Sequence, residues 1–278
     1  GYNDRNPVWI VGGVEVDGED GKEIQWSQPE ILLYDDDPLI RMSYPDLIEE
    51  GGNYYITETQ KDIARVHQID NAFLERLWGQ FDEPIRVREG LLVNWFGRGK
   101  TLPQKLPAPT LPIFRVRDTN TADYRGKSNS VGFTIELGFM LNEIIEGQVL
   151  ADTRDGSGKG WWIRISDKNN LNFRMSDGQT EAGWSSDPGT IQLNKQHHIS
   201  IIIDGGPNII SFVTDGHFND GGEDRQFGWG RFSPYFKSPE GSKTLLLGSS
   251  INGELSNVRF FDLAMMVSED LASQRWME

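Results

Sequence analysis

The sequence predicts an all-β protein. Three observations carry that expectation. Apolar residues come in short runs broken by Asp, Asn, Gly and Ser, the spacing of strands and turns rather than of long helices. Glycine is abundant at 31 of 278 residues, and aromatics reach 11%, a profile of many tight turns around a β core. Only two stretches carry helix signals. The chain is long enough for one large domain or two ordinary ones, each with a real core.

Composition also excludes. Cysteine is absent, so there are no disulfides, thiol nucleophiles or Cys-zinc sites. Four histidines are too few for a His-rich metal centre. The formal charge of −15 repels phosphate backbones and anionic membrane, and no Lys/Arg stripe offsets it. Nucleic acid and membrane are therefore not expected partners. No apolar run approaches the ~18 residues of a spanning helix. The acidity fits a secreted or periplasmic protein. No cofactor is required by any motif, although calcium is compatible with the acidic composition.

Taken in order, residues 1–84 read as strands and turns. Val8-Trp9-Ile10-Val11 stops at Gly12-Gly13. Val14-Glu15-Val16 alternates, and Asp17 to Lys22 forms a loop before Ile24-Gln25-Trp26. Ile31-Leu32-Leu33-Tyr34 ends at Asp35-Asp36-Asp37-Pro38, a solvated turn or a cation ligand set. Leu47 to Thr57 is a hairpin about Gly51-Gly52. Ile63 to Ile69 alternates as a half-buried strand. Asn71 to Gln80 is a short helix with Asp70 as N-cap and Phe73, Leu74 and Leu77 on one face. Residues 85–125 hold Pro103, Pro107, Pro109 and Pro112 and read as a Pro-rich connector, with Leu91-Leu92-Val93 a strand candidate.

From residue 126 the strand rhythm returns. Phe133 to Phe139, Gln148 to Ala151, Gly160 to Ile165 and Asn170 to Arg174 follow one another between Asp/Gly/Ser turns. His198 to Ile203 and Ile209 to Val213 flank Asp204-Gly205-Gly206-Pro207-Asn208, a hairpin signal. Leu245 to Gly248 and Leu255 to Phe261 complete a set suited to a two-sheet sandwich. Ser268-Glu269-Asp270-Leu271 starts a helix, with Ser268 as N-cap and acids in the first turn.

Residues 120–278 resemble the laminin-G / concanavalin A-like jelly-roll superfamily. Phe133-Thr134-Ile135-Glu136, His198-Ile199-Ser200-Ile201 with Phe212-Val213-Thr214-Asp215-Gly216, and Gly253 through Phe261 carry the likeness. It implies the fold and is silent on ligand.

Residues 1–84 resemble the last part of a sialidase-like β-propeller. The carriers are Asp4-Arg5-Asn6-Pro7-Val8-Trp9, Trp26-Ser27-Gln28-Pro29 (similar to the W-S-x-P end of a repeat), Ser43-Tyr44-Pro45-Asp46-Leu47, and Tyr54-Tyr55-Ile56-Thr57-Glu58. The resemblance implies that Arg5 holds the place of the third carboxylate-binding arginine and Tyr44 that of the tyrosine nucleophile. Glu58 lies near the following Tyr-Glu pair, where Thr57 replaces the Tyr; Pro45 replaces a serine. A guanidinium fork suits a carboxylate, and a phenol nucleophile avoids repulsion by an anionic sugar. The phenol, with a free pKa of about 10, needs a neighbouring base. Arg5 paired with Asp4, and Tyr44 packed at a blade edge, are the purely structural alternatives. This span makes one or two blades where a propeller takes ~4–8, so further blades from the same or another chain are the expected partners, and this span alone is expected to be inactive.

In the sandwich, Trp162, Trp184 and Trp229 are candidates for stacking on sugar rings, against the alternative of packing. Trp161 and Trp162 point to opposite faces of one strand, so at most one is core. Trp184, among Gly183, Ser185 and Ser186, is expected in an exposed loop. Asp152 and Asp155, with Asp177, are candidate calcium ligands without a fixed template. His197-His198 reads as one buried and one exposed histidine. The leading expectation is the C-terminal portion of a sialidase-like glycoside hydrolase with a concanavalin A-like accessory domain. A non-catalytic carbohydrate-binding or adhesion module, and a propeller lyase acting on acidic polysaccharide, are the alternatives.

Overall fold

The computed structural model describes residues 5–35, 37, 39–60, 62–81, 85–97, 103–114 and 131–277. Asp4, Asp36, Pro38 and the end of the Pro-rich stretch lie outside them, and with them the Asp4 partner of Arg5 and most of the acidic turn. The chain is nearly all β, and its contacts divide into two compact units. One holds the chain up to Val87 together with the residues from Met266 onward; the other begins at Arg88 and ends at Met265.

The first unit contains β1 (Val8–Ile10), β2 (Gly13–Gly18), β3 (Gly21–Trp26), β4 (Glu30–Leu33), β5 (Ser43–Glu50), β6 (Asn53–Gln60), β7 (Ile63–Ile69), α1 (Asn71–Trp78) and α2 (Val267–Met277). They form the antiparallel pairs β1–β4 and β2–β3 and the meander β5–β6–β7. The Gly51-Gly52 turn is as expected: both residues have positive φ, 60° and 81°, and Glu50 pairs with Asn53. The Asp17–Lys22 loop is tighter than expected, because Gly18 pairs with Gly21 and the strands run to the turn.

Helix α1 keeps the expected cap and face. Asp70 accepts from the Ala72 amide at 3.0 Å, and Phe73, Leu74 and Leu77 are buried with Leu32, Leu33, Ile56 and Ile69. Helix α2 departs from expectation. It starts at Val267, and Ser268 is not its cap. Glu30, 1% exposed, accepts the amides of Val267 at 3.1 Å and Ser268 at 2.7 Å. A carboxylate from a distant strand thus satisfies the orphan N–H groups and meets the positive end of the helix dipole. Strand β7 also differs. Val66 is 67% exposed, whereas Arg65 and His67 share a side with buried Ile69. Alternation identified the strand, but a buried carboxylate on β6, described below, selected its polar set to face inward.

The second unit is a two-sheet sandwich. Its strands are β8 (Leu91–Phe96), β9 (Lys105–Pro107), β10 (Gly132–Leu141), β11 (Val149–Asp152), β12 (Gly160–Ile165), β13 (Leu171–Ser176), β14 (Glu181–Ser185), β15 (Gln196–Asp204), β16 (Ile209–Thr214), β17 (His217–Phe218), β18 (Gly230–Arg231), β19 (Thr244–Leu247) and β20 (Gly253–Phe261). One sheet has the order β17-β16-β15-β10-β20-β8, with β18 also on β16; the other runs β14-β13-β12-β11-β19-β9. The Pro-rich stretch is therefore not only a connector: β8 and β9 form the outer edges of the two sheets. An edge is where a ladder tolerates Pro107.

Alternation builds the core. Phe133, Ile135, Leu137 and Phe139 of β10 face Trp161 and Ile163 of β12 and Phe173 of β13 in one cluster. Trp161 lies 5.1 Å from Phe260, and Phe133 lies 6.5 Å from Phe173, centroid to centroid. Each such side chain contributes about 1.5–3 kcal/mol by leaving water. The opposite side of β10 is buried too and carries charge: Glu136 and Arg259 pair directly across β10–β20, 2.9 Å apart and fully buried.

The Thr214-Asp215-Gly216-His217 turn is a two-residue hairpin with both central residues at positive φ. Asp215 is also a staple. Its Oδ2 lies 2.9 Å from Nδ1 of the fully buried His197, and its Oδ1 accepts the His198 amide at 2.9 Å. Burial acts to raise this carboxyl, but His197, the His198 amide and Lys195 outweigh it and bring its pKa down to about 2. The folded value lies below the ordinary 3.8, so the stabilisation is present above pH ~4 and is lost as pH falls through 2. Asp215→Asn is expected to narrow the urea-unfolding gap to wild type by about 2 kcal/mol between pH 6 and pH 2. A gap independent of pH would show that the carboxylate is not held in this way.

Candidate functional site

In the first unit the three residues singled out from the sequence come to one end of the β5–β6 ladder. The Met42 amide donates to the Arg5 carbonyl at 3.2 Å, and Arg5 Nη1 donates to the Ser43 hydroxyl at 2.8 Å. Ser43 pairs with Thr59, whose hydroxyl donates to the Ser43 carbonyl at 3.3 Å. The register then slips: the next pair is Asp46 with Thr57, so Tyr44 and Pro45 stand opposite Glu58 alone. Pro45 has no N–H to give the ladder, which suits the unpaired position of a bulge.

Tyr44 sits at φ 53°, in the left-handed region, and is 81% exposed. That conformation costs a non-glycine residue about 1–2 kcal/mol. The ring is not packed at a blade edge, so the structural alternative for Tyr44 has no burial to support it. Bulges of this kind re-aim a side chain.

Glu58 is fully buried. Its Oε1 accepts from Arg65 Nη1 at 3.1 Å, and His67 Nε2 lies 3.7 Å from the same oxygen. Its Oε2 is buried and meets no hydrogen-bond donor among the described residues. Arg65 supplies the counter-charge that a buried carboxylate requires. The sequence reading missed Arg65 and His67. The signal was present in their spacing: across an antiparallel pair, Arg65 stands directly opposite Glu58.

In the second unit none of the three tryptophans is an open platform. Trp161 is core and Trp162 points outward, as the two-residue period requires. The Trp162 ring is engaged by guanidinium groups, with Arg164 4.5 Å and Arg154 5.7 Å from its centroid. Trp184 does not lie in an exposed loop. It is half-buried on β14, paired with Phe173, under the Arg225 guanidinium at 5.0 Å. The glycines that read as loop signals allow close packing: a Cβ at Gly230 would sit 2.1 Å from the Trp184 ring. Trp229 stacks on Phe227 at 4.8 Å and faces Arg231 at 5.5 Å. Burial lowers the pKa of Arg231.

The carboxylates proposed for calcium have protein partners. Asp152 accepts from Arg154 Nε through both oxygens, at 3.1 Å each, and that bond raises the arginine pKa. Asp155 closes its own turn, accepting from the Ser157 hydroxyl at 2.6 Å and the Lys159 amide at 3.1 Å. Asp177 accepts the Thr180, Gln179 and Lys237 amides. Among the described residues no three His, Asp or Glu side chains gather as a metal-binding group. His197 is buried as expected, whereas His198 is half-buried rather than exposed, with both ring nitrogens away from solvent.

No protein-family model matches the sequence, and no curated protein does. Solved structures show distant likeness. The CBM40 of the Ruminococcus gnavus IT-sialidase bound to α2,3-sialyllactose is 9% identical with TM-score 0.41, over 54% of this chain and 84% of its own. A leech intramolecular trans-sialidase complexed with 2,7-anhydro-Neu5Ac is 11% identical with TM-score 0.43, over 67% of this chain and 28% of its own. A Trypanosoma rangeli sialidase is 10% identical with TM-score 0.37, over 95% and 52%.

The strain at Tyr44 is measurable. Tyr44→Gly is expected to raise stability by about 0.5–1 kcal/mol in urea unfolding, the left-handed penalty less the backbone entropy of glycine. A loss of stability would mean that the exposed ring makes contacts that outweigh the strain.

Proposed function

We propose that this chain contributes to a glycoside hydrolase of the sialidase type, with Tyr44 as nucleophile, Arg5 as anion clamp and Glu58 as the carboxylate that polarises the phenol. One observation carries the reading: Tyr44 projects into solvent in a strained conformation, on a bulge opposite a fully buried Glu58. Strain of this kind persists at sites that use it. Arg5, tied to the Ser43 that precedes Tyr44, is the cation that in this reading grips a substrate carboxylate, which the tie of its Nη1 to Ser43 supports.

In the proposed reaction the Tyr44 oxygen attacks the anomeric carbon as the glycosidic C–O bond breaks. The phenol proton passes toward the Glu58 carboxylate. The leaving oxygen takes a proton from an acid on further propeller strands, supplied by the same or another chain. Water then attacks the anomeric carbon as the bond to Tyr44 breaks; its proton restores the acid, and the departing phenolate takes its proton back from Glu58. Arg65 keeps the buried Glu58 carboxylate paired. No cofactor enters this scheme, and an extracellular or periplasmic setting is the one in which polymeric glycans are met.

The test uses the intact gene product on a panel of chromogenic glycosides that includes sialosides. Tyr44→Phe is expected to lower kcat by roughly 10³-fold or more while leaving the unfolding midpoint unchanged, since only an exposed hydroxyl is removed. Arg5→Ala is expected to raise KM for carboxylate-bearing substrates and to leave neutral ones unaffected. Wild-type turnover by Tyr44→Phe would overturn the assignment, as would a folded protein that turns over none of the panel.

A further inference from the structure

In a chain of net charge −15, one sheet face gathers arginines. Trp162 and Arg164 on β12 share the outward side with Asn172 and Arg174 on β13. Trp162 pairs with Arg174 and Arg164 with Asn172, directly across the ladder. Asp152, at the end of β11, pairs with Trp162 on the other flank, and Arg154 follows it. Arg164 and Arg174 are diagonal neighbours, which puts the two residues about 7–8 Å apart, within reach of long side chains.

The arginines are held and left unspent. Arg164 and Arg154 lie over the Trp162 ring, which orients flat guanidinium groups without using their N–H donors. Arg154 is committed to Asp152. Arg164 is not: among the described residues its Nη2 lies 3.9 Å from its nearest carboxylate oxygen, on Asp152, and its buried Nε has no acceptor, which leaves the outer Nη groups as the donors a ligand could reach. Arg174 gives one bond, from Nε to Asn172 Oδ1 at 3.2 Å, and makes no ion pair among the described residues. Its stem lies across Gly183, where a Cβ would come within 2.3 Å of its Cδ. Glycine there lets the arginine lie flat on the sheet. The other carboxylate on this side, Glu181, acts on Arg154.

The geometry points to a binding site for oxyanion-bearing polysaccharide on this face, with Arg164 and Arg174 as the two forks that grip carboxylate or sulfate groups and Trp162 as the plate that holds Arg164. Arg154 commits its Nε and Nη2 to Asp152, whereas the Nη groups of Arg164 and Arg174 meet no hydrogen-bond acceptor among the described residues. Two oriented and underused forks on one open sheet face are what bidentate anion recognition needs. The site does not involve Tyr44 and stands whether or not the chain serves a hydrolase.

The full chain is tested for binding to polygalacturonate, to a sulfated galactan and to neutral dextran, by affinity electrophoresis and calorimetry across NaCl concentrations. Retention by at least one acidic polymer and not by dextran, weakening with salt, is expected. Preference between the carboxylate and sulfate polymers identifies which anion the forks accept. Arg164→Gln with Arg174→Gln is expected to weaken binding about tenfold or more, while Lys168→Gln leaves it unchanged. Arg174→Gln alone, which gives up one surface hydrogen bond, serves where the double variant folds poorly. Arg164→Lys with Arg174→Lys is expected to bind between the two, keeping charge without the fork. Equal retention on dextran, no retention at low salt, or full binding by the glutamine variants would overturn the site. Turnover of small chromogenic glycosides by the intact gene product is expected to be unchanged in these variants, so failure here is separable from failure of the Tyr44 assignment.

Discussion

The contact of Trp161 with Phe260, ring on ring at 5.1 Å across the sandwich, sets the second unit's chemistry as well as its core. A strand has a period of two. Once Trp161 is seated between the sheets, Trp162 must face outward, and Arg164 with it. The paired strand obeys the same rule: Phe173 is buried, so Asn172 and Arg174 lie on the outer side. A one-residue slip would bury the arginines and expose the aromatics, which the apolar core forbids. The outer arrangement of guanidinium groups is thus a consequence of inner packing.

Several polar groups buried within each unit are satisfied by residues remote in sequence. Glu136 and Arg259 face each other across the central ladder with no exposure of either side chain. His197 and Asp215 tie a hairpin turn to the strand beside it. Glu30 caps a helix that begins 237 residues later. Each is a charge that burial penalises and a specific partner restores. Such pairs discriminate against alternative registers, because a slipped strand would leave a charge without its counterpart.

The first unit uses the same principle at Glu58, but one carboxylate oxygen meets no donor among the described residues, and the residue across the ladder is a strained and exposed tyrosine. A ladder free to optimise itself would hold neither feature. That departure from local consistency is what separates the Arg5, Tyr44 and Glu58 constellation from the tryptophans, each of which is occupied by a neighbouring side chain.

Local pattern was enough for much of this. Period-two alternation placed most strands, Gly51-Gly52 and the Asp204 to Asn208 turn placed two hairpins, and Asp70 placed a helix start, because each depends only on the backbone preferences of adjacent residues. The choice of Arg5, Tyr44 and Glu58 came from the motif order of a family resemblance, not from local backbone pattern. What the sequence alone left open was which side of a strand is inside and which distant group completes it. Strand β7 turned its arginine and histidine inward because Glu58 lies across from them. Trp184 became a packed strand residue because Gly230 leaves room for its ring. Helix α2 is capped by Glu30 and not by its own serine. These outcomes were decided by tertiary structure, since desolvation and charge pairing act between groups that chain proximity does not connect.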